Sequence, residues 1–196
     1  VQCWGNNYFD QLNTPTGTFV QLSSGNQHTC GVNTNGGIEC WGITDGGNDD
    51  YGQVTDVPSA TNFVYVSAGG RHNCALDDTG AIQCWGRNEY NEADAPTTSD
   101  FVQVESGSRH TCARKVDNTI ECWGRNDYGE STPPAGTFVH LTSGSRHSCA
   151  LDVDGYLHCW GSSGADSSGQ VDNTPTDGGF VFVAAGNLHT CAIDSV

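Results

Sequence analysis

The apolar positions of this chain come in short runs of period two, and the runs recur as a set. The clearest set spans Phe138 to Gly161: Phe138-Val-His-Leu, two small polar residues, Gly144, then His147-Ser-Cys-Ala-Leu151, a polar turn, and Leu157-His-Cys-Trp-Gly161. Alternation of this kind suits strands that bury one face. The Gly-, Asn- and Asp-rich punctuation between runs of four to six residues points to turns and strands and away from helices. Equivalent sets begin at Phe19, Phe63, Phe101 and Phe180, and their histidines His28, His72, His110, His147 and His189 are spaced by 44, 38, 37 and 42 residues. Units of about forty residues with three to four strands each match the blade of a β-propeller.

Within a unit the second and third strands predict a hairpin. If Cys30 faces Cys40, then Val32 faces Ile38 and Asn33 faces Gly37, leaving the loop Thr34-Asn35-Gly36. Such loops favour a left-handed final residue; Gly36, Gly80, Asn118 and Gly155 occupy that slot. The same spacing pairs Cys74 with Cys84, Cys112 with Cys122 and Cys149 with Cys159. Gly25, Gly69, Gly107, Gly144 and Gly186 close the first strands, where they are expected to let the backbone bend.

The fifth set is split. Phe180 to Val196 carries two of its strands, whereas Cys3, Trp4 and Gly5 carry the third at the other end of the chain. The expected architecture is therefore all-β: one five-bladed propeller over residues 1–196, its fifth blade closed by N- and C-terminal strands and a Cys3–Cys191 disulfide. The blades run approximately over 18–58, 63–96, 101–134, 138–175, and 180–196 together with 1–15. Trp4, Trp41, Trp85, Trp123 and Trp160, five tryptophans at one repeat position, are expected to fill the core between units.

Ten cysteines in five equally spaced pairs, without the close Cys-x-x-Cys knuckles of zinc sites, read as disulfides. Disulfides imply an oxidising compartment, extracellular or periplasmic. No stretch approaches the ~18 apolar residues of a membrane span, and no leader opens the numbering, so a secreted protein would already have lost it. A formal net charge of −16, with seven Lys plus Arg, argues against nucleic acid and anionic membrane surfaces as partners.

Gly-x-x-His-[Thr/Ser]-Cys-Ala-[Leu/Ile] followed by Cys-Trp-Gly-x-Asn resembles the repeat of the regulator of chromosome condensation family, most closely its short bacterial versions with added cysteines. The resemblance covers essentially the whole chain and implies the propeller fold. Family function transfers less readily, because propellers host many functions. The chromatin-bound exchange factor suits neither the disulfides nor the acidity. The plant photoreceptor's tryptophan slot is here filled by Asn26, Gly70, Ser108, Ser145 and Asn187. Secreted propeller-type inhibitors that bind through loops on one face imply a protein-binding module.

No nucleophile, base and orienter stand out as unique in the repeat set, so the chain reads as non-catalytic. The repeated histidines read as scaffold bonded to neighbouring loop backbone, and the two outside the frame, His140 and His158, as surface residues. Asp45, Asp49 and Asp50 are the candidates for calcium, in a loop without calcium-loop spacing, and no other metal or cofactor is expected. The candidate partner-binding set is Gln27, Arg71, Arg109, Arg146 and Leu188, at one repeat position, with Tyr8, Tyr51, Tyr90 and Tyr128. Arg87 and Arg125 follow the Trp-Gly pairs. The expected function is a secreted interaction module recognising a protein through one propeller face. The alternatives are a subunit of an extracellular assembly joined through the split fifth blade, and a lectin that stacks carbohydrate on its aromatics.

Overall fold

The structure, a computed structural model, describes residues 1–164 and 167–195. Fourteen strands form five antiparallel sheets among them. The first blade holds β1 (Phe19–Ser24), β2 (His28–Asn33) and β3 (Ile38–Gly42), and the second β4 (Phe63–Ala68), β5 (His72–Asp77) and β6 (Ile82–Gly86). The third holds β7 (Phe101–Ser106), β8 (His110–Lys115) and β9 (Ile120–Gly124), and the fourth β10 (Phe138–Ser143), β11 (His147–Asp152) and β12 (Leu157–Gly161). The fifth sheet is β13 (Phe180–Ala185) with β14 (Thr190–Asp194). The chain is thus all-β and propeller-like, with the units in sequence order.

The hairpin register is the one that cysteine spacing and turn chemistry require together. Cys30 faces Cys40 and Val32 faces Ile38, with the same pairing at Cys74 and Cys84, Cys112 and Cys122, and Cys149 and Cys159. All four pairs are bonded. Gly36, Gly80, Asn118 and Gly155 close the turns at φ of 77°, 85°, 68° and 83°. Within each unit the first strand shifts register after its opening Phe, a bulge that frees the next residue from the ladder.

The core lies between blades. Cys30, Val32 and Ile38 of the first blade pack with Phe63, Val66, Ala75 and Trp85 of the second, and two further clusters join the second blade to the third and the third to the fourth in the same way. Between the fourth and fifth, Cys149, Leu151 and Leu157 pack with Val183. Each disulfide therefore sits in an interface, its first sulfur residue wholly buried, and not on the outer surface.

Polar links cross the same interfaces. His28, His72, His110 and His147 direct Nε2 at Asn73 Oδ1 (2.7 Å), Thr111 Oγ1 (2.9 Å), Ser148 Oγ (2.8 Å) and Thr190 Oγ1 (2.8 Å) of the next blade. These partners are side chains, not the loop backbone expected from sequence; the residue after each His is small and polar and stands opposite the preceding blade's His. Asn73 Oδ1 can only accept, and Thr111 gives its own proton to the Glu92 carbonyl at 3.1 Å, so His28 and His72 carry the proton on Nε2. The glycine that ends each first strand is required by close approach, not by a bend. A Cβ on Gly69 would collide with the carbonyl oxygen of Gly107 and the ring of His72.

The tryptophans complete the links. Trp41, Trp85, Trp123 and Trp160 donate Nε1–H to the carbonyls of Gln11, Gln53, Glu92 and Glu130 at 2.9–3.1 Å, each in the preceding unit's outer loop. The N-terminal segment through Gln11 thereby takes, beside the first blade, the place that each blade's outer loop takes beside the next. Both chain ends contribute to the fifth unit in this sense, but its third strand is not in the ladder. Cys3 and Cys191 are free thiols and Trp4 is 87% exposed. The expected Cys3–Cys191 bond is therefore absent: no turn joins these two segments, and no ladder among the described residues holds Cys3–Gly5 against β14 as the hairpin loops hold β3, β6, β9 and β12. His189, exposed, makes no inter-blade bond among the described residues.

Candidate functional site

The fourth blade's outer turn, Ser168-Gly-Gln170, lacks a tyrosine, whereas the first three blades end in one design: Tyr51-Gly-Gln53, Tyr90-Asn-Glu92 and Tyr128-Gly-Glu130. The middle residue is left-handed, at φ of 78°, 63° and 84°. The buried Gln or Glu folds back to accept the tyrosine's own amide hydrogen, at 2.7 Å for Gln53, 2.7 Å for Glu92 and 2.8 Å for Glu130. The same residue's carbonyl holds the next blade's tryptophan. One buried side chain thus ties each tyrosine, half-buried at Tyr51 and Tyr128 and exposed at Tyr90, to the inter-blade core.

The arginines enter from the other side. The residue before each repeated His lies at the end of the inner loop, facing the neighbouring tyrosine turn. Arg71 lies over the Tyr51 ring with its guanidinium carbon 5.8 Å from the centroid, Arg109 over Tyr90 at 5.4 Å, and Arg146 over Tyr128 at 5.5 Å. Arg125 stands between two rings, 5.6 Å from Tyr90 and 5.2 Å from Tyr128. Arg109 also donates to the Tyr90 hydroxyl at 3.2 Å. The result is an interleaved rim, Tyr51–Arg71 then Arg109–Tyr90–Arg125–Tyr128–Arg146, drawn from the first four blades. Cation–π contacts of this kind attract each guanidinium to the ring face.

Two of the guanidinium groups are neutralised locally: Arg71 pairs with Asp49, and Arg125 with Asp127 at 2.6 Å. Arg109 and Arg146 have no carboxylate partner among the described residues. Four of the seven cations of a chain of net charge −16 thus gather on one rim. It flanks an opening of about 290 Å³ lined by Asn26, Gly70, Ser108, Ser145, Asn187 and the glycines before them.

Of the expected binding set, the structure brings together Arg71, Arg109, Arg146, Tyr51, Tyr90 and Tyr128. Gln27 adjoins them through its bond to Asp49 Oδ2 at 3.3 Å. Leu188 is exposed at the corresponding place on the fifth unit and touches no tyrosine. Tyr8 does not belong: the N-terminal turn is Phe9-Asp-Gln11, with Gln11 accepting from the Phe9 amide at 2.9 Å, so Phe9 holds the tyrosine position and Tyr8 lies one residue outside it, 84% exposed. Arg87 is not on the rim either. It is buried against Glu92 at 2.6 Å and donates to the Ser108 carbonyl at 2.9 Å. The role of Arg125 was not apparent from sequence, since only the fold places the residue after Trp-Gly between two tyrosines.

The acidic loop serves its own backbone. Asp45 accepts from the Gly47 amide and Asp50 from those of Gly46 and Gly52, while Asp49 binds Arg71 and Gln27. Among the described residues no group of three His, Cys, Asp or Glu side chains is placed to hold a metal ion. His158 pairs with Asp152 at 2.9 Å. His140 is not a surface residue: it is half-buried, its ring 4.6 Å from that of Phe182. The internal tryptophans are buried or half-buried in the interfaces.

Residues 63–92, 101–130 and 138–170 match the family described as Regulator of chromosome condensation (RCC1) repeat. Similar solved structures include the CRINKLY WD40 ectodomain of the Arabidopsis thaliana receptor kinase ACR4, 25% identical with a TM-score of 0.76 over 99% of this chain and 69% of that one. The entire ectodomain of the Physcomitrella patens receptor kinase CR4 is 24% identical, with a TM-score of 0.74 over 92% of this chain and 51% of that one. Prp20p of Saccharomyces cerevisiae, described with its binding to Gsp1p and histones, is 18% identical, with a TM-score of 0.74 over 93% and 57%. The chain thus spans about half to two thirds of these longer proteins. No curated protein matches it.

Proposed function

We propose that this chain, a β-propeller of RCC1-type repeats, is an extracellular protein-interaction module whose arginine and tyrosine rim recognises a carboxylate-bearing protein partner. The observation that carries this reading is the rim itself: the tyrosines are fixed by hydrogen bonds to buried side chains, and two guanidinium groups beside them lack a carboxylate among the described residues. Arg and Tyr are enriched at interfaces and among their hot spots, because they offer large contact area and directed hydrogen bonds. The four buried disulfides and the likeness to a receptor-kinase ectodomain support the extracellular setting.

The test is selection of peptides from a displayed random library on the immobilised protein, followed by comparison of wild type with the triple variant Arg71→Ala, Arg109→Ala, Arg146→Ala. The expected result is enrichment of Asp and Glu, affinity that falls with salt, and at least tenfold weaker binding to the variant. Peptides without acidic enrichment, or equal binding by the triple variant, would overturn the reading.

A second reading, head-to-tail assembly, is favoured by β14, which pairs on one side only among the described residues and carries the free Cys191, and by the exposed Trp4. Light scattering across a concentration series separates the two: growth beyond the ~21 kDa monomer, abolished by Cys191→Ser, supports assembly, and a constant mass rejects it.

A further inference from the structure

Five copies of one unit provide an internal control, because a residue that departs from its siblings is not explained by the repeat. Three such departures face one another. Arg114 occupies the position held elsewhere by Val32, Leu76, Leu151 and Ile193. Glu105 stands where the other first strands carry Ser23, Ser67, Thr142 and Ala184, and His140 where they carry Gln21, Tyr65, Gln103 and Phe182. All three line one cavity of about 580 Å³ on the concave inner face, formed by the second to fifth units and separate from the opening at the rim.

The cavity has an apolar wall and a polar end. Val64, Val102 and Val139, the residues that the bulges free from the ladder, are 51%, 42% and 46% exposed into it. The valine recurs at this place in every unit, exposed in Val20 and Val181 as well, and in these three it leaves apolar surface open to the cavity. At the polar end Arg114 donates Nη1–H to Asn118 Oδ1 at 2.8 Å, but its Nε–H is buried without a partner. His140 Nδ1 is likewise buried and unpartnered. A buried guanidinium N–H left unbonded costs free energy that an acceptor would recover. Glu105 does not supply that acceptor; it is held by the Tyr65 hydroxyl at 3.2 Å and Gln103 Nε2 at 3.1 Å. Burial pushes its carboxyl up to about 7, which lessens its repulsion of a second anion.

We infer that this cavity binds a small carboxylate with an apolar body, its carboxylate on Arg114 Nε and His140 and its body against Val64, Val102 and Val139. A guanidinium whose Nε–H still lacks an acceptor matches carboxylate geometry in a way that a point charge does not, once a small side-chain shift uncovers that edge. The apolar wall explains why the anion would carry a hydrocarbon body, and its place away from the rim makes the site independent of protein recognition there.

The probe is sodium octanoate, titrated into the whole protein and read from the methyl NMR shifts of Val64, Val102 and Val139, with 1-octanol as the uncharged control. Arg114→Leu installs in the third blade the residue of the second and fourth, so the fold is retained and its melting temperature checks this. Saturable octanoate shifts, binding at least tenfold tighter than 1-octanol, and at least a tenfold loss of octanoate affinity in Arg114→Leu are expected. Val102→Asp, on an exposed position, is expected to weaken binding as well. The inference is overturned if octanoate leaves the valine methyls unmoved at millimolar concentration, if 1-octanol binds equally well, or if Arg114→Leu binds octanoate as the wild type does.

Discussion

Acidification tests the inter-blade histidines directly. His28, His72, His110 and His147 are buried, each with Nε2 committed to the next blade, and Nδ1 of His28, His72 and His147 has no partner. A second proton would enter as an uncompensated buried charge. Burial accordingly lowers the four from the usual 6.5 to about 4, 3, 3 and 4 in chain order. The unfolded chain binds these protons below pH 6.5 while the folded chain does not, so their stabilising effect is full above pH 6.5 and is lost as pH falls towards 4. At about 1.4 kcal/mol per pH unit, each histidine costs about 2 kcal/mol by pH 5, and the four together cost about 8 kcal/mol. Glu105 acts in the opposite sense. Its carboxyl, raised from 4.5 to about 7, takes a proton in the folded state that the unfolded state lacks, returning about 3 kcal/mol at pH 5. The net loss of about 5 kcal/mol rivals the whole stability of an ordinary domain. Urea unfolding at pH 7.5 and 5.0 measures it, and His110→Gln, which keeps a donor towards Ser148 without a titrating group, should remove about a quarter of the histidine contribution. A urea midpoint unchanged between the two pH values would refute the assignment of neutral, interface-bound histidines.

Two further outcomes follow from particular contacts. Arg87→Ile alone strands the buried Glu92 and should cost about 3–5 kcal/mol, whereas Arg87→Ile with Glu92→Gln rewrites the pair to Ile43 and Gln53 of the first blade and should recover most of it; a double-mutant cycle in urea reads the coupling. Iodoacetamide on the native, non-reduced protein should label Cys3 and Cys191 alone, and subsequent reduction of the four bonds, each worth about 2–3 kcal/mol in the chain-entropy model, should lower the thermal midpoint. Peptide mapping that finds Cys3 joined to Cys191, or a midpoint indifferent to reductant, contradicts these outcomes.

The strands, their register and four disulfides were legible because local signals converge on them. Cysteine spacing, the left-handed residue at Gly36 and its siblings, and period-two alternation each specify the same hairpin, and none depends on a distant part of the chain. The split unit lacks that redundancy. Cys3 and Cys191 share the cysteine pattern, but no loop ties their strands, and chain continuity is what made the pattern sufficient elsewhere. The histidine partners were missed for a related reason. Asn73, Thr111, Ser148 and Thr190 look like outward-facing strand residues in a single unit, and only stacking one blade on the next turns that outer face into the receiving wall for His28, His72, His110 and His147.

The site was legible to the extent that it repeats. Arg71, Arg109 and Arg146 could be grouped because they share a frame, and the tyrosines because each precedes a Gly or Asn and then Gln or Glu. Tyr8 was misgrouped by one residue, and the acceptor side chain that fixes the frame identifies Phe9 in its place. The most chemically distinctive groups, Glu105, Arg114 and His140, carry no repeat signal, since each is a departure from its siblings. In a propeller the inner strands of successive blades lie side by side, so single departures in neighbouring units become neighbours in space. Repetition thus reveals the scaffold and the rim built on it, whereas a site made of exceptions becomes visible only when the blades are placed around their common face.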